Sequence, residues 1–235
     1  MTHTKKSPFR SVFTPAAACV VAFLGAGLPS ASAQTATADM QPLPLKLPKP
    51  AFVGTPKDSA SGKITAPTGP RPLPKVPKGT VNLALHRPVT SSAAPFSGTL
   101  DMITDGNKEA TEDSAVELKP RLQWVQIDLG ASSPLSYIGV WHYHGQPIVF
   151  HDVIVQVSDD KNFIDGVKMI FNNDQANAAG MGLGKDREYF ESYEGKLIDA
   201  KGIKARYVRL YSKGSTYTDP LNRYTEVEVY GLPPK

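Results

Sequence analysis

The chain has 235 residues, of which 40% are hydrophobic, 20% charged and 9% aromatic, a globular composition with room for one or two domains. Its formal charge of +4 sits mostly in the first 33 residues; without them 23 basic residues face 22 acidic ones, a net +1, and a nucleic-acid partner loses its electrostatic support. The single cysteine, Cys19, lies in the same leading segment. The remainder therefore has no disulfide or thiol chemistry, and must be held by a core or a metal.

Residues 1–33 read as a secretory signal peptide. Lys5, Lys6 and Arg10 supply a positive start, "AAACVVAFLGAGL" is an apolar run too short to span a bilayer, and "ASA" before Gln34 is a small-residue cleavage site. A secreted or periplasmic protein with no transmembrane span in the mature chain is the expectation. Residues 34–80 then hold ten of the chain's 21 prolines, in runs such as "QPLPLKLPKP". Proline fixes φ and removes a backbone donor, so this stretch is expected to be a Pro-rich linker, either a semi-rigid spacer or a plain leader. Its less proline-dense part, "AFVGTPKD" at 51–58, could dock on the domain that follows.

Residues 81–235 are long enough for one well-buried core. Their apolar runs are short, β-branched and broken by turn residues: "QWVQIDLG", "YIGVWHY", "HDVIVQVSDD", "GVKMIFNND", "ARYVRLYS", "TEVEVYG". Such spacing predicts an all-β, antiparallel sandwich or barrel. In the third run Val153, Val155 and Val157 share one face, the period of a half-buried strand.

At these strands the chain resembles a known family. "VNLALHRPVTSS", "ITDGN", "QWVQIDLG", "HDVIVQVSDD", "ARYVRLYS" and "TEVEVYG" fall in the order and spacing of the discoidin, or coagulation-factor type C, domain, the galactose-binding-like jelly roll shared with bacterial carbohydrate-binding modules. The match covers essentially all of 81–231 and implies a jelly-roll β-sandwich. The cysteine pair of many animal members is missing. Members bind sugars, phospholipid head groups or proteins through loops at one end, and are usually non-catalytic. The resemblance also implies a structural calcium, held by Asp105, Asn107, Thr111 and Glu226 with backbone carbonyls around Met102; calcium takes six to eight oxygens, and clasping a loop to the last strand would stand in for a disulfide. Thr111 lies one residue farther from Asp105 than the pattern expects, and "EDS" stands where a tryptophan is common. The alternative is that "TDGN" is a plain Asp-Gly turn and Glu226 an exposed strand residue.

The segment 171–195 is longer and more polar than a hairpin needs. Its Asn172, Asn173, Asp174, Asn177, Lys185 and Arg187 offer donors and acceptors, and Tyr189 and Phe190 offer stacking faces, the mixture a sugar site requires; a solvated loop is the alternative. "GMGLGK" within it lacks the spacing of a P-loop. In "VWHYHG" His142 and His144 point to one face of a strand. Two metal ligands, packing residues, or a ligand donor at His144 above a supporting His142 are the three readings, and the third is the expectation because His144 sits at the strand's end. Where galactose-binding relatives often place an arginine, this chain has His144-Gly145. No GxSxG or HExxH motif occurs. The function expected is a non-catalytic module that binds carbohydrate, such as a cell-envelope glycan. The alternatives are an adhesion module that binds a protein or envelope component, and a metal-dependent hydrolase.

Overall fold

In the computed structural model, residues 39–51, 64–65 and 70–234 are described; the expected signal peptide and most of "AFVGTPKD" lie outside them. Twelve strands run through these residues: β1 (Met40–Pro42), β2 (Ile64–Thr65), β3 (Lys75–Pro77), β4 (Val81–Asn82), β5 (Val89–Ser91), β6 (Val116–Leu118), β7 (Gln123–His142), β8 (Ile154–Ser158), β9 (Lys168–Asn172), β10 (Glu188–Tyr189), β11 (Lys196–Ser212) and β12 (Asn222–Gly231). Two short 3-10 turns, Leu100–Thr104 and Glu112–Ser114, precede β6. No helix among the described residues is long and apolar enough to cross a membrane.

The sandwich is built by two strands that each serve both layers. Residues 123–128 of β7 pair with 207–212 of β11, and this pair continues through β5 on one side and through β8 and β9 on the other. Farther along, residues 133–140 of β7 pair with 196–205 of β11, and β7 also pairs with β12, whose other edge carries β4 and β6. The ladder slips twice: residues 129–132 bulge from β7 between the two halves, and residues 200–202 bulge from β11 within the second half. Gly130, in the bulge between the halves, takes a φ of +85°, a region glycine enters without penalty, so β7 can bend from one layer into the other; Gly202, at +73°, serves the second bulge.

Alternation then fills the space between the layers. Val125, Ile127, Val155, Val157, Val208 and Leu210 of the first layer share a core with Leu118, Ile138, Val140, Ile198, Val227 and Val229 of the second. The face predicted for Val153, Val155 and Val157 is therefore the core face, and the all-β jelly-roll reading holds.

A second cluster corrects the reading of the Pro-rich stretch as a spacer. Strands β1 and β3 pair antiparallel and lay Leu43, Leu45 and Val76 on Trp141 and Tyr230, on the opposite face of the second layer from the main core. Arg71 anchors the same strap: its guanidinium donates to the carbonyls of Glu194 and Gly195 at 2.7 and 2.8 Å, and its N–H to the Glu194 carboxylate. Proline did not prevent docking because an edge ribbon needs few donors, while two leucines and a valine had an apolar face to cover. Residues 39–45 and 70–80 thus belong to the folded unit.

Candidate functional site

The loop expected to bind ligand is occupied with its own architecture. Asn172, Asn173 and Asp174 are 6%, 3% and 0% exposed. The Asn172 amide oxygen accepts from the Asp174 N–H and its Nδ2 donates to the Gly182 carbonyl; Asn173 Oδ1 accepts from the Val153 N–H; Asp174 accepts from the N–H groups of Ala178 and Ala179. These side chains replace missing ladder bonds in an irregular segment and are buried, Asn173 Nδ2 without a partner, so they are not presented to a sugar. Tyr189, 8% exposed and edge-on to Phe171, belongs to the core rather than to a stacking surface. Arg187 is exposed and stands apart from these buried groups.

His144 is also corrected. Its ring is 0% exposed, with Nε2 2.9 Å from the Lys108 carbonyl, because residues after the first 3-10 turn fold over the end of β7. His142 is 0% exposed as well, bonded through Nδ1 to Glu191 at 2.7 Å and stacked on Phe150 at 4.4 Å. It supports the strand as expected. Neither histidine meets a third ligand: His151 pairs with Glu188 and Asp152 with Lys213, and no group of three or more His, Cys, Asp or Glu suited to a metal occurs among the described residues.

The calcium residues are brought together in part. Glu226, 0% exposed and not an exposed strand residue, accepts the Gly106 N–H on Oε2 at 3.1 Å, while its Oε1 is buried without a partner. Burial pushes its pKa up to about 9, with Glu228 and Asp105 adding to the rise and the Gly106 bond and Lys108 opposing it. Asp105 and Asn107 are exposed and cap their own turn, accepting from the N–H groups of Asn107 and Glu109; Thr111 is exposed and opens the second 3-10 turn. Glu226 Oε1, buried without a partner, is the kind of oxygen a hard cation takes, but among the described residues Asp105, Asn107 and Thr111 make no bond to Glu226.

Elsewhere at this end, where β7 ends and β12 begins, the structure forms an open cleft of about 270 Å³, close to the lower size of ligand pockets. Its base is Arg223, 7% exposed, whose Nε donates to Glu117 and whose Nη2 donates to Asp219, both at 2.7 Å. Burial works against the guanidinium's charge, but the bonds to Glu117 and Asp219 outweigh it and raise the pKa. Nη1 is left buried without a partner. Tyr217 lies 5.0 Å from this guanidinium, Tyr143 and Gln146 come from the loop after β7, and Glu112 comes from the second 3-10 turn. A side chain at position 145 would collide with the Tyr143 ring, so Gly145 lets that ring fold back over the loop. Phe96, 69% exposed, donates its N–H to the Glu117 carbonyl at 2.6 Å. Sequence reasoning missed this set: its members span 112 to 223, and only the pairing of β6, β7 and β12 unites them.

No family model matches the chain, and no curated protein does. Solved structures do. The chain is similar to chitosan-binding module 1 from a chitosanase/glucanase of Paenibacillus sp. IK-5, at 20% identity over 64% of this chain and 99% of that one, with a TM-score of 0.44. Against the fucose-binding module SpX-3 of Streptococcus pneumoniae the identity is 18%, over 65% of this chain and 99% of that one, with a TM-score of 0.45. A truncated AlyQ with CBM32 and alginate lyase domains is 16% identical over 66% of this chain, with a TM-score of 0.47; the chain spans only 34% of that protein's length. These structures are carbohydrate-binding modules and, in the last case, an enzyme that carries one. At such identities the fold stands on the chain's own strand order, a two-layered antiparallel sandwich whose layers share β7 and β11.

Proposed function

We propose that the protein is an exported, non-catalytic module that binds carbohydrate in the cleft of Tyr143, Tyr217, Glu117 and Arg223. One observation carries this reading: the cleft sets tyrosine rings beside a guanidinium and carboxylates already fixed by mutual hydrogen bonds. A sugar needs that pairing, an aromatic face for its C–H patch and planar polar groups, held in place beforehand, for its hydroxyls. Export rests on the leader, whose removal would leave Gln34 as the first residue. A calcium shared by Asp105 and Glu226 would clasp the loop after the first 3-10 turn to β12.

The test is a glycan array on the purified protein, followed by titration of the best ligand against Tyr217→Ala and Glu117→Gln. Both variants should lose binding by about tenfold or more, in keeping with roughly 1–2 kcal/mol per truncated contact. Unchanged affinity in variants that melt as folded proteins would overturn the assignment to this cleft.

A further inference from the structure

The carbohydrate reading leaves the sugar's chemistry open, and the charges in the cleft narrow it. Glu112, Glu117 and Asp219 line it with Arg223 as the one cation. Arg223 is already shared between Glu117 and Asp219. Two carboxylates on one guanidinium leave a negative excess, and Glu112, exposed and without an ion pair among the described residues, adds to it. The neighbouring sequence deepens the same field: 109–117 carries Glu109, Glu112, Asp113 and Glu117 and no base. Lys108, just before it, is buried and spent on Glu228 at 2.6 Å.

Acidity alone would describe any solvated rim. Here it surrounds a built base: Arg223 is nine-tenths buried, lines the cleft, and keeps one donor, Nη1, without a partner. A ligand matching this arrangement carries acceptor oxygens for the arginine side and a positive charge for the carboxylates. Neutral sugars satisfy only the first demand, and uronic acids add repulsion from three carboxylates. We infer that the cleft prefers a glycan bearing free amino groups, a deacetylated hexosamine polymer, over its N-acetylated or acidic counterparts. The preference rests on the carbohydrate reading above and specifies it.

Titration calorimetry with tetramers of glucosamine, N-acetylglucosamine and mannuronic acid separates the two claims. At low salt and a pH of about 6, where sugar amines are protonated, the glucosamine tetramer should bind about three- to tenfold tighter than the acetylated one, the range of one or two exposed ammonium–carboxylate pairs. Because exposed charges are screened within about 10 Å at 0.1 M salt, the preference should shrink as salt is added. Glu112→Gln, at an exposed position that leaves the fold intact, should narrow it by about threefold. Equal binding of glucosamine and N-acetylglucosamine tetramers, or tighter binding of mannuronate, overturns the inference while the carbohydrate reading stands. A protein that binds none of the three, and nothing on a glycan array, overturns both.

Discussion

Leu43 distinguishes a docked strap from a loose leader. It is 2% exposed and packs with Val76, Trp141 and Tyr230, while Leu47, four residues on, is 40% exposed. Leu43→Ala removes three buried carbon groups at about 0.8 kcal/mol each, or about 2.4 kcal/mol, before any cavity term. A surface strap can settle onto the gap, so the cavity term is small. For a domain of this size the loss corresponds to a Tm lower by about 5–10 °C. Leu47→Ala, the internal control, should stay within about 0.5 kcal/mol of the parent. Arg71→Ala should fall with Leu43→Ala, since it releases two carbonyls from a guanidinium whose pKa burial already lowers against the pull of Glu194. Urea and thermal melts of the three variants measure all of this, with the denaturant slope showing whether the folded unit keeps its extent. If Leu43→Ala and Leu47→Ala melt together, the strap does not contribute to the fold and the packing described for it is wrong.

Glu226 should give the protein a pH dependence that calcium abolishes. With its pKa raised from 4.5 to about 9, the folded state holds a proton that the unfolded chain releases, so without calcium stability should fall as pH rises through that window. Melts in chelator and in calcium across pH 5–9 check it, and Glu226→Gln should flatten the slope; identical melts with and without calcium would remove the metal from the account. His144→Ala should cost about 1–3 kcal/mol, by stranding the buried Lys108 carbonyl, and leave glycan affinity unchanged; a folded variant with weakened binding would restore His144 to the site. Gly145→Ala should do the opposite, displacing the Tyr143 ring and lowering affinity with little change in Tm, as paired titration and melting would show.

The β-sandwich was legible because its information is local. Val153, Val155 and Val157 announce a buried face by alternation alone, and the six landmark segments carry their order along the chain. Leu43, Leu45 and Val76 announce nothing of the kind, since their burial depends on an apolar face around Trp141 and Tyr230 more than fifty residues away. The asparagines of 171–195 misled for a related reason. A polar side chain reads the same whether it awaits a sugar or closes its own loop, and only the donors around Asn172, Asn173 and Asp174 decide between them. Alternation and turn residues, which act between near neighbours, therefore determined the all-β class and its core from sequence. The strap, the burial of His144 and the cleft that joins Glu117 to Tyr217 and Arg223 were decided by tertiary structure, because each depends on contacts between strands and loops far apart in the chain, whose side-chain environments exist only once the layers have closed.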